Sequence, residues 1–73
     1  MKGIPSGRRS RIDAVTRETK RVLLQTKSWE RTKEHMNYWI RSNYNVSRIT
    51  VLDYMETAAA RLMTDTEAKE LIR

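Results

Sequence analysis

The fold is decided by the stretch Tyr44-Asn45-Val46-Ser47-Arg48-Ile49-Thr50-Val51-Leu52-Asp53-Tyr54, which lies between two amphipathic segments. Its apolar and aromatic residues recur at spacings that seat one helix across another; they are Tyr44, Val46, Val51 and Tyr54. Asn45 stands where the chain must turn sharply, and Asn tolerates a positive φ better than most side chains. Ser47 can accept a hydrogen bond from a free amide of the following helix, so it is a good N-cap. The stretch therefore predicts a tight turn that leads directly into a helix.

The helix after this turn is predicted over about residues 47–63, and it is apolar on two faces. The first face is the expected core face and consists of Val51, Tyr54, Met55, Ala58 and Leu62. The second face is interrupted by Glu56 and consists of Ile49, Leu52, Ala59 and Met63. A helix that is apolar over so much of its circumference is usually covered on more than one side. We therefore expect a fourth helix or a second copy of the chain to cover the second face.

Two helices are predicted before the turn. The helix over about 29–43 follows the cap residue Ser28 and carries a heavy apolar stripe, made of Trp29, Met36, Trp39 and Ile40. The helix over about 11–26 starts at a loose capping box of Ser10 and Asp13, and its apolar residues recur at helical spacing. Residues 1–9 contain both glycines and the only proline, so we expect a flexible basic N-terminal arm there.

A last helix is predicted over about 65–72, because Thr64-Asp65-Thr66-Glu67 matches a capping box. Its inward residues would be Ala68, Leu71 and Ile72. No strand pattern appears, and the chain after the third helix is too short for the two strands of a wing. We expect an all-α fold, a bundle of three to four helices without a wing, with the arm at 1–9 and one helical domain at 10–73.

The positive charge is concentrated in the first half of the chain. The net charge is +6, and residues 1–33 hold ten Lys or Arg against three acids, which gives +7. Residues 34–73 hold five basic and six acidic residues, which gives −1. A basic field of this kind attracts polyanions such as nucleic acid. The other interpretation is a surface that only keeps the protein in solution.

Composition argues against several other classes of protein. There is no Cys for a disulfide or a thiolate metal site, and no apolar run approaches the roughly 20 residues that cross a bilayer. We therefore expect a cytoplasmic, nucleoid-associated protein without a membrane partner. An enzyme is not expected, since His35 is the only histidine and no pair of carboxylates stands out. No catalytic residue, metal or cofactor is predicted.

Residues 36–54 resemble the helix-turn-helix of small bacterial, archaeal and phage DNA-binding regulators. The matching positions are Ile40 in the first helix, Tyr44 before the turn, Val46 and Ser47 across it, and Thr50, Val51 and Tyr54 in the second helix. Two positions depart from that pattern. Arg41 replaces a small residue, so its stem would have to lie flat with the guanidinium in solvent, and Asn45 replaces Gly.

The resemblance implies a transcription regulator that binds double-stranded DNA. Groove-facing positions of the second helix would fall on Ser47, Arg48, Ile49, Leu52, Asp53 and Glu56. Arg48 could pair with guanine, and Ile49 or Leu52 could touch a thymine methyl. Phosphate contacts would fall on Thr50, Lys33 and Arg41. The arm would add Arg8, Arg9 and Arg11 at the backbone or in an adjacent minor groove.

Two alternatives remain at this point. The chain could be an RNA-binding or ribosome-associated protein that uses the arm and the first helix, which the acidic Asp53 and Glu56 favour. It could also be a helical protein-interaction module that docks through the second apolar face of the helix at 47–63. A homodimer would suit a palindromic DNA site, and we lean towards one.

Overall fold

A computed structural model describes residues 7–72, and these residues form three α-helices. The helices are α1 (Arg8–Thr26), α2 (Trp29–Asn43) and α3 (Arg48–Leu62). A 3-10 helix at Lys69–Leu71 follows them, and residues 7–72 contain no β-strand. The all-α prediction is confirmed. We call residues 64–72 the C-terminal segment.

The first helix begins earlier than predicted. Gly7 is its N-cap residue, and the Gly7 carbonyl accepts a hydrogen bond from the Arg11 amide at 3.2 Å. Ser10 therefore lies inside the first turn and is not the cap. Arg8 and Arg9 are helical, so the predicted arm at 1–9 is wrong for these two residues; its residues 1–6 lie outside the described range. In this first turn the Arg8 guanidinium donates a hydrogen bond to the Asp53 carboxylate of α3 at 2.8 Å.

The chain changes direction between α1 and α2 at Lys27, which has a left-handed backbone with φ of 56°. The Lys27 amide donates to the Leu23 carbonyl at 2.8 Å and so closes the end of α1. Ser28 then caps α2 as predicted, accepting from the Arg31 amide at 3.2 Å. Lys27 is the only non-glycine residue of 7–72 with a positive φ.

The positive φ considered for Asn45 is therefore wrong, although a sharp turn is present there. The Val46 amide donates to the Tyr44 carbonyl at 2.9 Å, which makes a three-residue turn centred on Asn45. Tyr44 and Ser47 on either side are extended, so the chain bends without a left-handed residue. Ser47 caps α3 as predicted, since its Oγ accepts from the Thr50 amide at 3.3 Å.

The core forms where α1 packs across both α2 and α3. Its fully buried side chains include Ile12 and Val15 of α1 and Met36 and Ile40 of α2. The predicted core face of α3 is buried and consists of Val51, Tyr54, Met55, Ala58 and Leu62. The ring of Tyr44 joins the core at the loop, with edge-to-face contacts to Trp39 and Tyr54 at 6.1 and 6.4 Å.

The α-helix predicted at 65–72 is not formed. The C-terminal segment consists of turns and the short 3-10 helix, and the residues of the expected capping box make other contacts. The Glu67 carboxylate pairs with Lys20 at 3.2 Å, and the Thr64 hydroxyl donates to the Arg61 carbonyl. Asp65 is the actual cap: its Oδ1 accepts from the Glu67 and Ala68 amides, and its Oδ2 pairs with Lys20 at 2.7 Å.

The C-terminal segment covers the end of the molecule at which α1 and α3 finish. Ala68 is fully buried against Leu23 of α1 and Leu62 of α3, with Leu71 and Ile72 packed beside it. Within residues 7–72, no helix combines the length and apolar character needed to span a bilayer. The opposite end of α3, where the helix begins, is not covered by this segment.

Candidate nucleic-acid interface

The beginning of α3, residues 47–52, is the most exposed apolar and basic part of the helix, and we call it the leading end of α3. Its first turn is organised by two hydroxyl groups. Ser47 Oγ accepts from the Thr50 amide and lies 3.1 Å from Thr50 Oγ1. The first amides of a helix lack intrahelical partners and carry a partial positive charge. A capped and exposed helix start of this kind favours negatively charged groups.

Two large apolar side chains project into solvent at the leading end. Ile49 is 79% exposed and Leu52 is 57% exposed, while Val51 between them is buried. Met63, at the other end of the same face, is 51% exposed. The expectation that a fourth helix covers this face is therefore wrong, because the C-terminal segment packs on Leu62 and turns towards α1 instead.

Lys33 and Arg48 lie on opposite sides of a groove of about 170 Å³ between α2 and α3. Its remaining lining is Asn37, Val51, Leu52 and Met55. Lys33 also pairs with Glu30 at 3.0 Å, whereas Arg48 makes no ion pair with any of residues 7–72. The structure therefore places two sequence-predicted cations beside the exposed Leu52, one of them without a counter-charge.

Arg41 lies farther along α2 in a second and larger cleft, of about 420 Å³. It is exposed in the last turn of α2, as expected for a guanidinium in solvent, and forms no ion pair among the described residues. The residues that share this cleft were not singled out from the sequence as site residues; they are Asn37, Tyr38, Ser42, Asn45 and Val46. Asn37 stands four residues after Lys33 and four before Arg41, so the three side chains lie on one face of the helix. This spacing in the sequence could have identified Asn37 as a site residue.

Two of the three arginines expected to act with the arm lie against α3 and the loop. Arg8 pairs with Asp53 at 2.8 Å, and Arg11 lies over the Tyr44 ring at 5.0 Å from its centroid. Arg9 is exposed in the first turn of α1. Asp53, an acidic residue at a predicted groove-facing position, therefore has a cation beside it. Glu56 is exposed on the outer face of α3 and makes no ion pair among residues 7–72.

Farther along α1, ion pairs join charged residues of this helix to acids or bases of the same chain. Arg21 holds Glu18, whose pKa it lowers by hydrogen bonding and by its charge. Arg61 of α3 reaches back to Asp13 at 2.6 Å and lowers the pKa of that carboxyl. Lys20 bonds to Asp65 and Glu67, which raises the pKa of its ammonium group. The pairs of Lys20 and Arg21 reduce the free positive charge of α1, whereas the pair of Arg61 neutralises the Asp13 carboxylate. Arg17 of α1 forms no ion pair among residues 7–72.

The described residues contain no group of three or more His, Asp or Glu side chains arranged to hold a metal ion. Comparison with known proteins finds no matching family model, no similar curated protein and no similar solved structure. A function for this interface is therefore argued from its own residues.

Proposed function

We propose that the chain is a DNA-binding protein, acting as a transcription regulator, in which α2 and α3 form a helix-turn-helix. The observation that carries this proposal is the exposure of Arg48, Ile49 and Leu52 at a capped helix start. Ile49 and Leu52 lie three residues apart on one helix face, and two exposed apolar side chains together are more informative than a single one. An exposed helix start with a guanidinium and apolar groups fits the major groove of a duplex.

The connection between the two helices supports a helix-turn-helix. Only residues 44–47 separate α2 from α3, and α1 packs against both helices. Tyr44 and Val46 direct their side chains into the core beside Trp39 and Tyr54, which fixes the bend. In this proposal α3 is the reading helix and α2 lies across the DNA backbone.

Each part of the interface has a chemical role in the proposal. Arg48 donates two hydrogen bonds to guanine, and Ile49 and Leu52 contact thymine methyl groups. Lys33, Arg41 and Thr50 bind phosphate oxygens on the side of α2. Arg9 and Arg11 of α1 bind the backbone on the other side of α3, and Arg8 lies beside them in its ion pair with Asp53. The phosphate contacts provide much of the affinity, which falls with salt.

A homodimer on a palindromic site is part of the proposal. Met63, at the opposite end of α3 from the proposed base contacts, gives an exposed apolar side chain that a second copy can cover. Sedimentation velocity of the free protein and of its complex with duplex DNA measures this directly. Two copies on each bound duplex are expected, and a single copy on every enriched site would contradict the dimer alone.

RNA binding is the competing function, and the ion pairs of α1 place it second. A binding surface on α1 would draw on Arg17, Lys20 and Arg21, and two of these three, Lys20 and Arg21, are paired with carboxylates of this chain. Arg48 and Arg41 both have no counter-charge among the described residues. Binding of structured RNA and duplex DNA at equal salt separates the two functions.

The test is selection of binding sites from random duplex DNA with the wild type, Arg48→Ala and Arg31→Ala. Arg31 is a matched control, because it is an exposed arginine of α2 that lines neither groove and forms no ion pair among residues 7–72. Loss of one bidentate base contact costs roughly 1–3 kcal/mol of discrimination. We expect Arg48→Ala to lose preference for the selected site and Arg31→Ala to keep it. Equal preference in all three proteins, or enrichment of no sequence by the wild type, contradicts the proposal.

A further inference from the structure

The cleft that contains Arg41 has a chemistry of its own, distinct from that of the leading end of α3. It is formed by one side of the last two turns of α2 and by the following turn, and we call it the Tyr38 cleft. Its lining residues are Asn37, Tyr38, Arg41, Ser42, Asn45 and Val46. Neither Arg48 nor Ile49 lines it. At about 420 Å³ it falls within the size range of small-ligand sites.

The polar side chains of the Tyr38 cleft have no partners within the part of the chain that the structure describes. Tyr38 is 74% exposed, forms no ring pair and makes no hydrogen bond there. The side chains of Asn37, Ser42 and Asn45 are likewise without hydrogen bonds among residues 7–72. Asn43 on the same helix shows the contrast, because its amide donates to the Trp39 carbonyl at 2.8 Å.

The combination of groups in the cleft indicates one class of ligand, which its positive charge alone would not. Tyr38 offers a flat aromatic ring, and Arg41, three residues later, offers an unpaired guanidinium. Asn37 and Asn45 each offer a carbonyl oxygen and an NH₂ group, so they can both accept and donate. No carboxylate is among the lining residues. A ligand that satisfies all of these groups carries a planar ring with polar edges and a nearby anion.

We propose that the Tyr38 cleft binds one unpaired nucleotide of a single-stranded nucleic acid. The base stacks on the Tyr38 ring, which is the contact that single-strand-binding proteins commonly use. The side-chain amides of Asn37 and Asn45 bond to the base edge, which a paired base would not offer. Arg41 binds the phosphate of the same nucleotide. This site does not depend on duplex reading by α3.

The test compares fluorescently labelled oligo-dT and oligo-dA strands by anisotropy, with Tyr38→Phe, Tyr38→Ala, Arg41→Ala and Arg31→Ala. Phe keeps the stacking ring, whereas Ala removes it. Tyr38→Ala is expected to weaken strand binding by roughly 5- to 100-fold, in keeping with alanine substitutions at stacked bases. Tyr38→Phe is expected to stay within about threefold of the wild type, since stacking remains. Arg31→Ala should weaken binding clearly less than Arg41→Ala, because it lies roughly 15 Å along the helix.

Nuclear magnetic resonance with adenosine monophosphate and with inorganic phosphate identifies which groups are bound. The nucleotide is expected to shift the side-chain NH₂ signals of Asn37 and Asn45 and the Tyr38 ring signals. Inorganic phosphate is expected to shift signals of Arg41 without moving those amides. Equal shifts of the amides with both probes overturn base recognition, leaving an anion site only.

Two outcomes separate this proposal from the proposed duplex function. Strand affinity that is unchanged in Tyr38→Ala overturns the nucleotide site, whatever the duplex selection gives. Loss of strand affinity in Tyr38→Ala supports the site even if no duplex sequence is enriched. Thermal melting of Tyr38→Ala serves as the folding control, and the exposed position of this side chain predicts an unchanged midpoint.

Discussion

At the scale of single residues, the ion pair between Arg8 and Asp53 determines the charge beside the leading end of α3. Both side chains are largely exposed, at 60% and 48%, so the pair contributes at most a small part of the stability. Its larger effect is electrostatic, because Asp53 holds a guanidinium that would otherwise be free to bind phosphate. The pair joins positions 45 residues apart, so no local sequence pattern indicates it.

Replacing Asp53 with Asn is expected to strengthen duplex binding. The substitution removes a negative charge from the outer side of α3 and releases Arg8, which can then neutralise one more phosphate. Each added phosphate contact steepens the dependence of log affinity on log salt by roughly 0.9. Anisotropy titrations at several salt concentrations measure both quantities. Weaker binding by Asp53→Asn with an unchanged salt slope would show that Arg8 does not face the DNA.

At the scale of secondary-structure elements, the start of α3 depends on Ser47. Its hydroxyl supplies the acceptor that the Thr50 amide lacks within the helix. Ser47→Ala is therefore expected to reduce the free energy of unfolding by about 1 kcal/mol. Ser42→Ala is the matched control, because this exposed helical serine makes no side-chain hydrogen bond among residues 7–72. Urea denaturation measures the free energy of unfolding of both variants and of the wild type.

Ser47→Asp separates the structural role of this position from its proposed contact with DNA. Asp caps a helix as well as Ser does, so the stability should be retained. The added carboxylate lies at the proposed DNA surface and should weaken duplex binding through repulsion of phosphate. Retained stability together with full duplex affinity would place the leading end of α3 away from the DNA.

The C-terminal segment depends on Asp65, which caps its first turn and pairs with Lys20. The bond from Lys20, and then the backbone bond from Glu67, lower the pKa of this carboxyl below 3.8 in the folded chain. A lowered folded pKa means that the ionised group stabilises the fold above about pH 4 and that this contribution is lost as the pH falls through the folded pKa. Asn at position 65 keeps an oxygen acceptor and removes the charge.

Asp65→Asn is therefore expected to lower the thermal midpoint at pH 7 and to approach the wild type at pH 2. Glu34→Gln is the control, since Glu34 is exposed and pairs with no cation of residues 7–72. Calorimetry of the three proteins across this pH range gives the comparison. A difference between Asp65→Asn and wild type that stays constant with pH would contradict a role for the Asp65 charge.

Local patterns in the sequence predict the three α-helices. The wrong predictions, at the start of α1 and in the C-terminal segment, concern residues that contact distant parts of the chain. The predicted span of α2 agrees with Trp29–Asn43, and the Ser28 and Ser47 caps form, because capping depends on neighbouring residues only. The first turn of α1 includes a contact with Asp53, 45 residues away, which no local pattern indicates. The last helix was predicted from a local capping box, whereas the segment instead packs Ala68 against the distant Leu23 and against Leu62.

For the candidate site too, local patterns predict some residues and others depend on tertiary contacts. The resemblance to a helix-turn-helix predicts Arg41, Arg48, Ile49 and Leu52 at the surface, whereas the apolar pattern of the helix wrongly predicted a fourth helix over Ile49 and Leu52. The sequence does not predict Tyr38 and Asn45 as neighbours of Arg41, since that grouping depends on the path of the turn after α2.

At the scale of the whole molecule, the two ends of α3 have opposite roles. Its final turn is covered by the C-terminal segment through Ala68, whereas its leading end is open. The unpaired cations Arg41 and Arg48 lie on the open side, whereas Lys20 and Arg21 of α1 are paired with carboxylates of this chain. The open side is therefore a basic, partly apolar face suited to a polyanion.

The claim that the leading end of α3 faces DNA is tested most directly by nuclear magnetic resonance. The ¹⁵N-labelled chain is titrated with a short random-sequence duplex at low salt. The largest shifts of backbone amides are expected at residues 47–52, with a second group at 33–41. Residues 64–72 should stay unshifted, because they cover the opposite end of α3. Shifts concentrated on α1 or on the C-terminal segment, with residues 47–52 unmoved, would contradict the account.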